Sequence, residues 1–387
     1  MIQISNTNTL SKKHKIVIHC QYVYGIGHLV RTCQLALALC DVFDVTVING
    51  GEKVPNYELP ENVTWIQLPA IYKKETSQDL IPVDTLTTLD DCFARRNSII
   101  NDVLNDVRPD LIITEHFPFG LLFEKEVINL ISDAKSINEN CKIVSSVRDI
   151  LDSEIKDSKV FEILERYFDH VLIHSDKEMV PFQDQSNLRV PISYTGYIVQ
   201  NIKYEKRTSS TRPLIMASIG GGRLGQELLT SLINEHQKLF QEIPHDLEIF
   251  KGAFQGEWQF DSKYDHISSL KISEFNQKNY QLSLAKASLI ICMGGYNSLL
   301  EAVISKIPVL VYNREFANDN LEQDSRIQYF LESGYIKVLS PNELEGKSLR
   351  DKIIESLNGI EQPLPLKICI EGKSNTQKII KTILSKE

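Results

Sequence analysis

Short runs of consecutive apolar residues alternate along the chain with longer stretches whose apolar positions recur every three to four residues. A continuous apolar run suits a strand covered on both faces, and the longer period suits a helix with one buried face. The runs predict strands at Lys15–Cys20, Asp44–Ile48, Asp110–Thr114, Lys142–Val147 and His170–His174, with helices such as His28–Leu39 and Leu86–Asp106 between them. The pattern pauses at a polar, basic stretch, QNIKYEKRTSSTRP, and then resumes. The second series predicts strands at Leu214–Ser218, Leu247–Phe250, His266–Leu270, Leu289–Cys292, Val309–Tyr312 and Tyr335–Val338. Such alternation implies parallel sheets made of βαβ units. The expected class is therefore α/β, with two doubly wound, Rossmann-like domains facing a cleft. The expected division is a polar tail 1–14, a first domain 15–200, a linker 201–213, a second domain 214–372, and a last helix within 373–387 that could pack back on the first domain.

Ligands of doubly wound sheets bind beyond the carboxyl ends of the strands, so the turns after strands hold the candidate chemistry. In SLIICMGGYNSLLEAVISKIP, Gly294 and Gly295 separate a strand from a helix that starts near Asn297 and stops before Pro308. Glycines let a charged group approach the backbone, and amides at a helix N-terminus suit phosphate. Glu301, one turn into that helix, could accept hydrogen bonds from the hydroxyls of the same ligand. Phosphate and diol together suggest a nucleotide. Ser298 and Glu301 also fit the S-x-x-E capping box, in which the glutamate only satisfies a backbone amide. After the first strand of the second half comes IGGGRLG, where Gly220, Gly221 and Gly222 read as a ligand loop and Arg223 as a phosphate contact. After the first strand of the chain comes YGIGHLVR. Gly25 and Gly27 loosen that turn, His28 is placed to act as a general base, and Arg31 could hold an anion. The third glycine of a dinucleotide fingerprint is missing there, and no Gly-Lys-Ser/Thr completes a P-loop. Glu322 and Gln323, adjacent at the start of a later helix, suit sugar hydroxyls or a plain helix surface.

Composition narrows the classes further. The net charge of −9 argues against a general nucleic-acid binder. Seven dispersed cysteines without a CxxC suggest buried thiols in a reduced, cytoplasmic protein rather than a disulfide or zinc framework. The first residues are too polar for a signal peptide, and no apolar run approaches a membrane span. Peripheral contact with the inner face of a membrane stays open.

The segment from Ile272 to Gly295, followed by YNSLLEAVISKIPVLVY and Glu322-Gln323, resembles the donor half of the lipid-II-forming N-acetylglucosaminyltransferases, and more widely the family-28-like GT-B glycosyltransferases. The first half, with YGIGHLVRTCQLA, Glu115-His116-Phe117-Pro118-Phe119-Gly120 and Ser146-Val147-Arg148-Asp149-Ile150, is similar to a bacterial group of predicted glycosyltransferases of unassigned substrate. The resemblance implies an inverting GT-B glycosyltransferase that uses a nucleotide-diphosphate sugar such as UDP-N-acetylglucosamine, with no further cofactor and no metal. It implies that Gly27, Gly220–Arg223 and Gly294, Gly295, Asn297 and Ser298 contact the diphosphate. Phe275 and Asn276 border the base, Glu301 holds the ribose, and Glu322 and Gln323 hold the donor sugar. His28 is then the base, Asp149 or Glu115 orients it or the acceptor, and Arg31 and Arg148 serve an anion or the acceptor. The family's fuller glycine motif is reduced here to Gly25-Ile26-Gly27-His28, and its usual pair of glutamines is Glu322-Gln323. Peptidoglycan synthesis is therefore not implied. The acceptor is open among a lipid-linked sugar, a polysaccharide, a natural product and a protein.

Two other readings compete. Gly25–Arg31 also resembles the GxGHxxR segment of nucleotide-sugar hydrolases of nonulosonic acid synthesis, in which the histidine would activate water. A non-catalytic nucleotide-sugar-binding protein would keep the fold and dispense with the base.

Overall fold

The computed structural model describes residues 13–23, 25–73, 79–149, 158–179, 188–200, 212–221, 224–254, 264, 266–314, 321–358, 365 and 367–385. The first half contains β1 (Lys15–Cys20), α1 (Gly27–Leu39), β2 (Asp44–Asn49), β3 (Thr64–Gln67), a hairpin of β4 (Ile71–Lys73) and β5 (Leu80–Pro82), and α2 (Leu89–Val107). It continues with β6 (Leu111–Glu115), α3 (Glu124–Ile137), β7 (Lys142–Val147), α4 (Ser158–Tyr167), β8 (His170–Ile173) and β9 (Ile192–Tyr194). The second half opens with β10 (Leu214–Ser218), α5 (Gln226–Glu242), β11 (Asp246–Phe250), β12 (Leu270–Ser273), α6 (Gln277–Lys286), β13 (Leu289–Met293) and α7 (Tyr296–Ile304). It ends with β14 (Val309–Tyr312), α8 (Leu321–Glu332), β15 (Lys337–Leu339), α9 (Gly346–Asn358) and α10 (Gly372–Leu384).

Two parallel sheets result, ordered β3-β2-β1-β6-β7-β8-β9 and β12-β11-β10-β13-β14-β15. In each, the order runs outward from a first strand and then reverses. The reversals lie between β1 and β6 and between β10 and β13, and each opens a crevice at the strands' carboxyl ends. Burial alternates along the strands. Ile16 and Ile18 of β1 join one core layer, and Val17 joins the layer on the opposite face. Met216 and Ile290 likewise oppose Ile215, Ala217 and Ile291 in the second sheet. Helices cover both faces, which is why the strands read as unbroken apolar runs.

Some boundaries differ from the sequence reading. The helix predicted from Leu86 begins at Leu89. Asp84 holds the preceding turn by accepting from the Leu86 amide at 3.1 Å and the Thr87 hydroxyl at 2.8 Å. Thr88 then caps the helix through the Asp91 amide at 3.1 Å. The strand predicted at His266–Leu270 starts at Leu270, because the residues just before it are used in turns closed by Ile267 N to Tyr264 O and Leu270 N to Ile267 O. The expected linker falls largely on 201–211, outside the described residues.

The chain passes between the halves twice, and the two crossings touch. Tyr197 N donates to Cys369 O at 2.7 Å and Gly372 N to Tyr197 O at 3.2 Å. A Cβ at Gly372 would stand 2.5 Å from the Tyr197 carbonyl oxygen, so only glycine lets the strands of chain approach this closely. Helix α10 then lies against α1. Lys373 Nζ donates to Gln34 Oε1 at 2.6 Å, Gln377 Nε2 donates to Ala38 O at 2.9 Å, and Ile380 is buried in the first domain's core. Among the described residues no helix is long and apolar enough to cross a membrane. All seven cysteines are free, five of them buried.

Candidate active site between the two switch points

The first reversal assembles ionisable side chains. Helix α1 begins at Gly27, so His28 enters its first turn and meets Glu115, the last residue of β6. His28 Nδ1 lies 2.8 Å from Glu115 Oε1. The carboxylate accepts the Nδ1 proton and thereby leaves the Nε2 lone pair for other work. Glu115 is buried and also paired with the buried Arg31 guanidinium, which lies 5.6 Å from the centre of the Tyr296 ring. The His28 ring keeps 20% of its side-chain surface open and stands 5.4 Å from the ring of His116. Burial, then the Arg148 and Arg31 charges and His116, hold His28 well below its usual value, so it is a neutral imidazole near pH 7. Burial and the neighbouring Arg148 also bring Arg31 down to about 10, which leaves it charged.

Behind this dyad a polar chain runs across the strand ends. Ser146 Oγ lies 3.5 Å from Glu115 Oε2 and 2.9 Å from His174 Nε2. His174 Nδ1 lies 2.8 Å from Thr195 Oγ1, which donates to Gly196 O at 2.7 Å. His174 is fully buried, and desolvation followed by the Arg31 charge keeps it neutral.

The second reversal presents mostly backbone. After β10 come Gly220, with φ +71°, and Gly221. A Cβ at Gly221 would lie 2.1 Å from Ile26 Cγ1, so the glycine turns of the two domains pack directly on each other. After β13, Gly294 and Gly295 lead into α7, whose N-cap is Gly295 with no side-chain cap. The free amides of the first turn of α7 therefore face the cleft end of the sheet. Ser298 lies inside the helix, its hydroxyl donating to Gly295 O at 3.3 Å. The capping-box alternative therefore fails: Glu301 is in the second turn. Glu301 is buried, and desolvation lifts its carboxyl to about 7 against the opposing Tyr280 hydrogen bond.

The first two residues of α7 bind the opposite domain. Tyr296 Oη donates to His174 O at 2.7 Å, and Asn297 Nδ2 donates to Gly27 O at 2.9 Å. Asn297 and Gly27, both expected to meet the diphosphate, here hold each other across the cleft. Asn276 is the N-cap of α6 and accepts the Asn279 amide at 2.9 Å. Phe275 packs on the core layer of the first domain. Gln323 borders Gly294, where a Cβ would come within 2.9 Å of Gln323 Cγ. Gly222, Arg223 and the Glu322 side chain lie outside the described residues.

Asp149 requires a correction. It is fully buried and paired with Arg326 of α8. Arg326 Nε donates to Asp149 Oδ2 at 2.5 Å, Nη2 to Oδ1 at 2.7 Å, and Nη1 to Gly294 O at 2.8 Å. Asp149 thus ties the Gly294 turn to the first domain, and Glu115 is the carboxylate bonded to His28 among the described residues. Arg31 is likewise engaged with Glu115 rather than placed for a ligand anion. Sequence reasoning missed Arg326, although it lies one helical turn beyond Gln323. It also missed Tyr296, His174 and Thr195.

A cavity of about 280 Å³ opens beside the dyad, lined in part by His28, Glu115, Arg148, Tyr22, Phe117 and Phe123. It lies in the first domain at the carboxyl ends of β1 and β6.

Residues 216–383, the second sheet with its helices and α10, match the profile described as Glycosyltransferase family 28 C-terminal domain. The chain has the GT-B fold, and its second half carries the family 28 match. Over 156 residues it is 24% identical to the UDP-N-acetylglucosamine--N-acetylmuramyl-(pentapeptide) pyrophosphoryl-undecaprenol N-acetylglucosamine transferase of Shouchella clausii (strain KSM-K16). That stretch spans 39% of this GT-B chain and 41% of the relative's length. Among solved structures, the calicheamicin glycosyltransferase CalG4 superposes with a TM-score of 0.61 at 13% identity, over 97% of this chain and 99% of that one. UGT2 of Phytolacca americana, complexed with UDP-2fluoro-glucose and pterostilbene, gives a TM-score of 0.58 at 15% identity, over 96% and 94% of the two chains. MurG of Acinetobacter baumannii gives 0.53 at 12% identity, over 96% and 99%. At such identities the likeness is one of GT-B fold.

Proposed function

We propose that this GT-B protein is an inverting, metal-independent glycosyltransferase that moves a sugar from a UDP-linked donor, of the UDP-N-acetylglucosamine class, to an acceptor hydroxyl. The observation that carries the reading is the His28–Glu115 dyad, 2.8 Å apart at the first switch point and facing the N-terminus of α7 in the family 28 half. The acceptor oxygen attacks the anomeric carbon while its proton passes to His28 Nε2. The bond to the diphosphate breaks on the opposite side of that carbon, which inverts it. Glu115 supports the imidazolium that forms. The amides of α7 and of the Gly220–Gly221 turn receive the negative charge on the leaving UDP, the part a cation plays in other transferases. Glu301, poised near neutrality, can accept from or donate to the ribose hydroxyls. The cavity beside His28 favours a transferase over a hydrolase, because water needs no apolar pocket.

Purified protein should show a thermal shift with UDP and UDP-sugars that is lost in Glu301→Ala. It should release UDP only when an acceptor is added, with an inverted anomeric proton coupling in the product. Activity should persist in EDTA. Absence of any nucleotide-induced shift would overturn the reading, and full turnover in water alone would convert it to a hydrolase.

A further inference from the structure

The cavity of the first domain has a composition that points to its occupant. Its volume of about 280 Å³ lies at the lower edge of the range for small-molecule sites. That space suits one ring with its substituents. The middle of the wall is aromatic and aliphatic, from Tyr22, Phe117, Phe123 and Val127. Its polar lining is His19, Gln21, His28, Glu115, His116 and Arg148. His19 is 1% exposed and so lies deep, whereas His28 and the half-exposed Leu122 lie toward the mouth.

The deep end is rigid. His19 Nε2 lies 3.0 Å from Glu126 Oε1. Arg96 binds both Glu126 oxygens at 2.6 and 2.7 Å, Gln21 Oε1 at 2.6 Å, and the carbonyls of Gly50 and Pro69. An arginine with no exposed surface and five such contacts fixes the orientation of His19 and Gln21 before any ligand arrives. At the mouth, the Arg148 charge borders the same cavity as His28.

Resting on the transferase reading, we propose that the acceptor is a single-ring hydroxylated aromatic compound. Its ring sits among Tyr22, Phe117 and Phe123, and its phenolic hydroxyl faces His28. A second polar substituent, across the ring, meets His19 or Gln21. The phenolic proton goes to His28 Nε2 as the oxygen bonds to the anomeric carbon and UDP departs, and Arg148 stabilises the negative charge that grows on that oxygen. The weak basicity of the buried His28 fits an acidic hydroxyl better than an aliphatic one, since proton transfer is most effective when the two acidities approach each other.

The full chain should be titrated, without donor, against 4-nitrophenol, 4-hydroxybenzyl alcohol, methyl N-acetylglucosaminide and a short-chain polyprenyl-pyrophosphate sugar by saturation-transfer NMR. Binding of the two phenols alone, and UDP release from UDP-N-acetylglucosamine that rises with the phenol's acidity, is the expected result. Val127→Phe should weaken phenol binding tenfold or more while the UDP thermal shift is kept. Leu122→Trp at the exposed mouth serves the same purpose if the first variant does not fold. Binding of the saccharide or lipid probe in place of the phenols would overturn the proposal, as would phenol binding insensitive to both variants. An intact UDP shift with no phenol binding sinks only this inference. Loss of any UDP shift in the parent protein sinks the transferase reading with it.

Discussion

The two switch points use one topology in opposite ways. At the first, between β1 and β6, the chemistry is carried by side chains: His28, Glu115, Arg31, Ser146 and His174 form one connected polar network. At the second, between β10 and β13, glycine turns and an uncapped helix offer amides, and the main ionisable side chain is the buried carboxyl of Glu301. On the proposed function, the difference follows from what each ligand asks for. A proton must go to an atom of suitable basicity, which only a side chain supplies. A diphosphate needs several close donors, which backbone supplies when no Cβ intervenes. Equivalent places in a repeated fold therefore diverge according to whether they do chemistry or hold charge.

The sharpest way to break this contrast is His28→Asn. Turnover should fall by roughly 10²–10⁴-fold, the usual worth of a general base, while the UDP thermal shift stays as in the parent. Loss of nucleotide binding in the variant would mean that the two switch points are not separate in function. The parent pH profile carries a second check. His28 is held below its ordinary range by burial, Arg148, Arg31 and His116, so it stays unprotonated as pH falls through 6.5. The acid limb of kcat/KM should therefore begin below that pH. A limb centred near 7 would show a different group at work.

The next largest effect is expected where the two regions meet. Asp149 and Arg326 are buried and joined through two hydrogen bonds across the cleft. Removing one partner leaves the other charge buried, so Asp149→Ala should lower stability by about 3–5 kcal/mol. The double change Asp149→Leu with Arg326→Met should recover most of that. Denaturant titration of the parent, Asp149→Leu, Arg326→Met and the double variant closes the cycle. An additive double variant would show that the pair is not what fixes the Gly294 turn.

Most strands were legible in the sequence because both faces of each sheet are covered, so burial leaves an unbroken apolar run. The edge strands of the first sheet were not: β3 and β9 are short and only partly buried, and neither carries that signature. His28 and the paired glycines were legible because they stand directly after a strand. The partnership of Asp149 with Arg326 was not, since 177 residues separate them and no local pattern marks a pair made by tertiary approach. Asn297 shows a subtler failure. Its place in a phosphate-type turn suggested a ligand contact, yet its amide is bonded to Gly27 O of the facing domain. Ser298 and Glu301 fitted a capping motif only on the assumption that Ser298 starts the helix, and Gly295 already fills that position.

Acid should separate the two halves. In the second domain His236 Nδ1 lies 3.1 Å from His245 Nε2, His236 Nε2 meets Ser269 Oγ at 2.9 Å, and His245 Nδ1 donates to Ile243 O at 2.7 Å. Every ring nitrogen is used in the neutral pair, so a further proton puts an uncompensated charge in a buried site. Burial, then the neighbouring His245, brings His236 down to about 4, and burial lowers His245. The folded pKa is below the unfolded one, so the contribution to stability is complete above about 6.5 and is lost as pH falls from there toward 4. The slope for one such proton approaches about 1.4 kcal/mol per pH unit. Replacing His236 by Gln should flatten the dependence. An unchanged slope would place the acid sensitivity elsewhere, with His174 of the first domain the next group to examine.

The smallest effect tests the coupling most directly. Tyr296 Oη donates to His174 O, joining the first residue of α7 to the polar chain behind Glu115. Tyr296→Phe removes one hydrogen bond and leaves the ring beneath Arg31 in place. The stability loss should be about 1 kcal/mol, the ordinary net worth of such a bond. If the bond also aligns the two switch points, kcat should fall several-fold while the KM for donor and the UDP shift hold steady. The oxygen of His174 is a backbone atom, so its side chain keeps Ser146 and Thr195, and Glu115 keeps His28. A drop in kcat would then report misalignment between intact halves, whereas a rise in donor KM would show that the tyrosine serves α7 alone.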